Sequence, residues 1–261
     1  MLFTELMQSL SRTGEHGWTA NITEGWMQGR TTYGGLSAAL CLQAVQNEHP
    51  DLPPLRTVQI NFIGPAGGDV FISSKVMRRG KSVAYISAEV TGEHGIATHA
   101  VFCFGASRAS KINKDFTTPP AVPGITESED FSRLGKGPVF TQHFDCLLAK
   151  GDHPASGSSE NEFFLWCRHK DKRANDLVAL IGIADMPPPA VLPMFLELAP
   201  ISSMTWMMNF LTDEPRTKGG WWLLSSVAEH ARNGYSSQNM GIWNSDGELI
   251  VTGRQNVAIF Y

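Results

Sequence analysis

FISSKVMRRGKSVAYISAEVTGEHG, residues 71–95, and WLLSSVAEHARNGYSSQNMGIWNSDG, residues 222–247, are two renderings of one pattern. Each is a strand-like run, a break with turn chemistry, a second strand-like run and a closing Gly turn. The breaks, Arg79-Gly80-Lys81-Ser82 and Arg232-Asn233-Gly234-Tyr235-Ser236, stand in the same place. Working outward, Asn61-Phe62-Ile63 matches Asn209-Phe210-Leu211 upstream. Downstream, Val101-Phe102-Cys103-Phe104 falls on Val257-Ala258-Ile259-Phe260, which sets His99 against Gln255. The pattern is an internal duplication, and it decides the architecture.

Each copy carries the same elements. Gly34-Gly35 opens an almost wholly apolar helical run, Leu36 to His49, that stops at Pro50. A helix apolar on every side is a buried helix. Strand-like runs follow at 56–62, 69–77, 82–91 and 98–104. In the second copy an apolar helix spans 175–185, stopped by Pro187-Pro188-Pro189, and strands follow at 203–211, 221–229, 236–243 and 248–261. Between the copies, residues 107–160 are rich in Pro, Gly, Ser and Thr and read as an irregular connection. The chain thus divides into 1–106, 107–160 and 161–261. The fold class is α+β, because a helix followed by antiparallel strands leaves apolar area exposed until a second such unit covers it.

Composition excludes several function classes. The 261 residues are 42% hydrophobic and 18% charged, enough for a sizeable core, and the net charge of −4 gives no footing for nucleic acid. The basic cluster Lys170 to Arg173 is interrupted by Asp171 and reads as a solvated loop. Cys41, Cys103, Cys146 and Cys167 lack metal-ligand spacing and read as reduced, buried thiols, so no metal is expected. MLFTELMQSL lacks the basic start and long apolar core of a signal peptide, and no stretch is apolar for long enough to cross a bilayer. A cytoplasmic protein without a membrane role is the expectation. Gly80-Lys81-Ser82 is a hairpin turn without the upstream Gly of a P-loop, and Gly-x-Ser-x-Gly is absent.

An ordered set of short stretches carries a family likeness. These are Tyr33-Gly34-Gly35-Leu36, Leu55 through Pro65, Ala184-Asp185-Met186 before the prolines, Trp222-Leu223-Leu224, and Asp246 through Ile250 followed by Gln255. Together they resemble the acyl-CoA thioesterase II (TesB-like) family across all but the central connection. The resemblance implies a double hotdog, two tandem helix-wrapped antiparallel sheets forming one continuous sheet. It also implies hydrolysis of acyl-CoA with no cofactor, and a homodimer or higher homo-oligomer.

By that resemblance a water is held by an Asp at the end of the second helix, a Gln on the last strand and a Thr. The Asp falls on Asp185 and the Gln on Gln255. The Thr falls on Pro200, which has neither hydroxyl nor N–H, and strand alternation makes Ser202 the substitute. Gly34 and Gly35, at a helix start, would leave room for substrate and for the oxyanion. The residue types suit the chemistry. A carboxylate can take a proton from water, and an amide can orient that water without adding charge. Read alone, Asp185 merely ends a helix, Gln255 bonds a loop, and His99 is a structural strand residue. Two other readings follow from the same residues. One is an acyl-thioester-binding protein with a decayed site, which Pro200 favours. The other is a hotdog enoyl-CoA hydratase, which would want a His soon after Asp185, where Met-Pro-Pro-Pro-Ala stands instead.

Overall fold

The computed structural model describes residues 1–14, 17–131 and 137–261. Among the described residues there are three α-helices, α1 (Phe3–Gln8), α2 (Gly34–Glu48) and α3 (Leu177–Ala184). The strands of the first half are β1 (Ser11–Thr13), β2 (Gly17–Ile22), β3 (Met27–Gln28), β4 (Thr31–Thr32), β5 (Leu55–Phe62), β6 (Gly68–Arg79), β7 (Val83–Gly92) and β8 (Gly95–Gly105). Those of the second are β9 (Glu129–Asp130), β10 (Phe144–Lys150), β11 (Glu162–His169), β12 (Ile201–Phe210), β13 (Trp222–Arg232), β14 (Tyr235–Trp243) and β15 (Leu249–Ile259). Apart from the small β3–β4 pair, they make one antiparallel sheet in the order β1-β2-β6-β7-β8-β5-β12-β15-β14-β13-β11-β10-β9. This is a double hotdog, with one continuous sheet around two helices.

The halves join at β5 and β12, and the join is palindromic. Asn61 pairs Thr205, and Thr57 pairs Asn209. The sequence match of Asn61 with Asn209 is therefore a true structural equivalence. Both strands also bulge at the same point against their other neighbour, between Leu55 and Thr57 and between Ser203 and Thr205. The Thr57 hydroxyl donates to the Met208 carbonyl at 2.9 Å, and Arg56 pairs Asp213 at 2.6 Å, so side chains reinforce the ladder at the join.

The same symmetry corrects the sequence alignment of the last strand. Val58 pairs Phe102, and its twin Trp206 pairs Gln255, so Phe102 rather than His99 stands in the place of Gln255. Four apolar residues in a row fit several offsets, and such a run carries no information about register. Ile86, beside Phe102, is likewise the twin of Gln238, beside Gln255. In the first half these inward positions are wholly apolar; in the second they hold two buried amides.

Three further differences have physical causes. Residues 107–160, expected to be irregular, contribute β9 and β10, although 107–128 carries no strand and 132–136 lies outside the described residues. Phe144 and Cys146 of β10 face the core, while Ala149 packs in a separate small cluster with Phe164, Trp166 and Leu223, and a Pro- and Gly-rich setting hid that short run. Helix α1 has only six residues, below the length at which periodicity is legible, yet it buries Phe3, Leu6 and Met7. Lys170 to Arg173 is not simply a solvated loop, because Asp171 is buried and accepts from the Thr4 N–H at 2.9 Å, fastening α1 to the second half. Cys41, Cys146 and Cys167 are free and buried, and Cys103 is free and half-buried. Among the described residues no helix is long and apolar enough to cross a membrane.

Candidate active site

The two helices meet where their sequences have least side chain. A Cβ on Gly35 would lie 2.5 Å from the Gly182 carbonyl oxygen and 2.7 Å from the Tyr33 ring. A Cβ on Gly34 would lie 2.6 Å from Asp185 Oδ2 and 3.0 Å from the Phe62 ring. Glycine is required at both positions for close approach. The consequence is geometric: the N-terminus of α2 is pressed onto the residue that ends α3.

That residue is Asp185, the C-cap of α3. Its Oδ1 accepts a 2.9 Å hydrogen bond from Gln255 Nε2, and the Gly35 N–H faces the carboxylate. Burial pushes the carboxyl up to about 7, against the opposing pull of the Gln255 amide and the Gly35 N–H. The C-terminal end of α3 also disfavours negative charge, while the N-terminus of α2 favours it. A carboxyl poised near neutral pH can both take and return a proton.

Gln255 owes its place to strand alternation. Along β15 the inward series is Val251, Gly253, Gln255 and Val257, so one amide enters an otherwise apolar face. It is 3% exposed and opposite Trp206. Its Oε1 does not face open space but accepts from Gln238 Nε2 at 2.8 Å. Gln238, fully buried on β14, in turn accepts from the Ala190 N–H at 2.8 Å, in the loop that follows the three prolines.

Tyr33, the N-cap of α2, packs its ring against Phe140 at 4.0 Å between centroids, and its hydroxyl is buried without a hydrogen-bond partner. Burial, then the nearby Asp185 carboxylate, raises its pKa well above the ordinary tyrosine value.

The structure thus brings Asp185, Gln255, Gly34 and Gly35 together, and it does not bring Ser202 to them. Ser202 is exposed on β12 and pairs Ala258, three residues along β15 from Gln255. The alternation itself holds, since Pro200 and Ser202 are both exposed and lie before the bulge at Ser203–Thr205; what fails is that this face does not reach the Asp185–Gln255 pair. Pro200 is exposed, with its carbonyl accepting from the Phe260 N–H at 3.0 Å. Gly35 also differs in detail, since its N–H is turned to the carboxylate rather than to open space. Among the described residues no group of three or more His, Cys, Asp or Glu is placed to hold a metal ion.

The half-buried Asp185 carboxyl makes a thermodynamic prediction. In the unfolded chain an Asp ionises near pH 4, whereas in the fold Asp185 does so at about 7. Between those values the folded state holds the extra proton, so stability falls as pH rises, by at most ~1.4 kcal/mol per pH unit, and levels off above 7. Partial access to solvent trims the total to roughly a few kcal/mol. Urea unfolding at pH 5 and pH 8 should show this fall in the wild type and not in Asp185→Asn. The same change in both proteins would mean that Asp185 is not the group responsible.

The sequence profile of the acyl-CoA thioesterase N-terminal domain matches residues 22–105, and that of the acyl-CoA thioesterase C-terminal domain matches residues 117–259. No functionally curated protein matches the chain by sequence. Among solved structures, a hot dog fold protein of unknown function from Alicyclobacillus acidocaldarius superposes with a TM-score of 0.87 at 22% identity, covering 99% of this chain and 98% of that one. The tesB protein of Mycobacterium avium subs paratuberculosis gives 0.78 at 13% identity, over 98% of this chain and 97% of that one. The acyl-CoA thioesterase II TesB2 of Mycobacterium marinum gives 0.77 at 16% identity, over 98% of both chains. At these identities the superpositions speak for the fold, and the two profiles, which together run from residue 22 to residue 259, speak for the family. The chain belongs to the acyl-CoA thioesterase family.

Proposed function

We propose that the protein is an acyl-CoA thioesterase that hydrolyses its substrate by direct attack of water, without a covalent intermediate. The observation that carries this is the Asp185 carboxyl, raised to about 7 by burial, anchored at one oxygen by Gln255 and set against the bare N-terminus of α2. Asp185 Oδ2 takes a proton from the attacking water as its oxygen bonds to the thioester carbonyl carbon. The developing oxyanion is met by the Gly34 N–H, which the helix start leaves without an intrahelical partner. Collapse of the tetrahedral intermediate breaks the carbon–sulfur bond. Asp185 returns its proton to the leaving thiolate, giving a carboxylic acid, free CoA and the starting carboxylate. Neither metal nor cofactor enters this scheme.

The acyl chain has a candidate path beside Ala184, along the floor formed by Trp206, Met208, Met240, Gly241 and Gly253. That cavity measures about 10 Å³, roughly the room for one water. An acyl chain therefore enters only if the flexible Met208 and Met240 move aside. The small cavity and the placement of Ser202 away from the Asp185–Gln255 pair favour a second reading, acyl-thioester binding without turnover.

A panel of acyl-CoAs from two to sixteen carbons, assayed with a thiol reagent, separates the two. The thioesterase reading expects free CoA release with at least one member, saturable and faster than the uncatalysed rate. Tight acyl-CoA binding with no CoA released at any length would replace it with the binding reading. Soluble cytoplasmic action on CoA thioesters, with no nucleic acid or membrane partner, and assembly into a homodimer or higher homo-oligomer belong to the same proposal.

A further inference from the structure

The proton-bearing pair is only the end of a longer device. We propose that Gln238 is a positioning residue whose amide fixes which face of Gln255 is presented to Asp185. The inference rests on the thioesterase reading only where it concerns rate; where it concerns the carboxyl it stands on geometry alone.

One end of this relay has no freedom. The Ala190 backbone N–H can only donate, and it donates to Gln238 Oε1 at 2.8 Å. The rest of that amide, Nε2, must then point away from Ala190, and it donates to Gln255 Oε1 at 2.8 Å. Gln255 in turn has only its NH₂ left for Asp185, and Nε2 donates to Oδ1 at 2.9 Å. A primary amide by itself is indifferent to a half-turn about its last bond, which exchanges donor and acceptor. Here three successive bonds remove that choice. Gln238 is fully buried and Gln255 nearly so, which leaves no solvent to substitute for either bond.

The consequence is a fixed sign. A donor turned on the carboxyl favours its charged, proton-accepting form, and an acceptor turned on it would favour the protonated form. The groups around the carboxyl do not compete with this. Tyr33, the N-cap of α2, is the titratable neighbour; behind it lie Cys146 of β10 and Cys167 of β11, all buried, and burial raises Tyr33 and Cys167 well above their ordinary pKa values. Among the described residues no charged side chain acts on Asp185. The register supports a dedicated arrangement, because the twins of Gln255 and Gln238 in the first half are Phe102 and Ile86, both fully buried. The fold needs no amide at these positions.

Two substitutions separate polarity from packing. Gln238→Met keeps the volume and removes the relay. Gln238→Glu keeps the shape and reverses it, because an ionised carboxylate cannot donate to Gln255 Oε1 and instead draws the Gln255 NH₂ away from Asp185. The titration of Asp185 is followed by carbon-13 NMR of aspartate-labelled protein, assigned by its loss in Asp185→Asn. The midpoint is expected to rise by about one pH unit in Gln238→Met, the worth of one hydrogen bond to the charged form, and further in Gln238→Glu. For the active wild type, kcat should fall about 10- to 100-fold in both variants with KM little changed, the usual scale for residues that orient a catalytic group. In the unsubstituted protein the side-chain NH₂ protons of Gln238 and Gln255 should be protected from exchange and should shift together as Asp185 titrates. An Asp185 midpoint that is the same in wild type, Gln238→Met and Gln238→Glu overturns the proposal. So do freely exchanging Gln238 and Gln255 NH₂ protons, a result that needs no variant to fold. A wild type that hydrolyses no acyl-CoA, yet shows the shifted midpoints, would remove the thioesterase reading and leave the positioning role standing.

Discussion

Asp185→Asn should lower acyl-CoA hydrolysis by about 10²- to 10⁴-fold, the range that a positioned general base contributes. The substitution is nearly isosteric, and it leaves an oxygen to accept the 2.9 Å bond from Gln255 Nε2. What it removes is the ability to take a proton from water. Structural damage is not a rival explanation, because an uncharged amide at this buried site relieves the cost of burying a carboxylate. The variant should therefore be as stable as the wild type or more so above pH 7, while losing activity. Loss of activity with loss of stability would point to misfolding. Activity within a few-fold of the wild type, at full saturation, would remove Asp185 from the base role.

Gly35→Ala tests the scaffold that sets Asp185 in place. Adding one methyl to a helix ordinarily stabilises it by about 0.5–1 kcal/mol, and less at the first turn. Here the added Cβ would meet the Gly182 carbonyl oxygen at 2.5 Å and the Tyr33 ring at 2.7 Å. One of these is backbone, and the Tyr33 ring is held by Phe140. Neither can step aside, so α2 and α3 must separate. Overpacking of this kind costs about 1–3 kcal/mol, occasionally more, and it outweighs the propensity gain. The melting temperature should fall by roughly 3–10 °C, and hydrolysis should fall with it, because the α2 N-terminus no longer meets Asp185. A melting temperature equal to or above that of the wild type would show that the helices are not in the close contact described.

Much of this was legible in the sequence, and the exceptions are instructive. The helix after Tyr33 and the eight strands of the two copies followed from apolar runs and Gly or Asn turns, because each element is long and its breaks are chemically distinct. The pairing of Asp185 with Gln255 came from family likeness; no periodicity brings residues seventy apart in sequence to 2.9 Å. Gln238 shows where reading stops. A plain hairpin closed at Trp243 and Leu249 would set Gln238 opposite Arg254, an exposed residue on the outer face. A bulge between Ile242 and Trp243 shifts the register by one and sets it opposite Gln255 instead. One residue of slip exchanges the faces of a strand, and nothing in Leu249-Ile250-Val251 announces that Ile250 is the inserted residue. Ser202 shows a different limit: it shares the exposed face of Pro200 as alternation requires, but no local pattern tells that this start of β12 lies away from Asp185. Elements carried by apolar pattern were readable; residues whose facing depends on a single inserted position were not.

The central claim is that a carboxyl titrating at about 7 is the base that activates water. The most direct test is the pH dependence of kcat/KM from pH 5 to pH 9 with the best acyl-CoA of the panel. The account predicts a rate that climbs tenfold per pH unit at the acidic end and bends to a plateau near 7, with that bend absent from whatever activity Asp185→Asn retains. A profile flat across pH 5 to 8, or the same bend in Asp185→Asn, would contradict it.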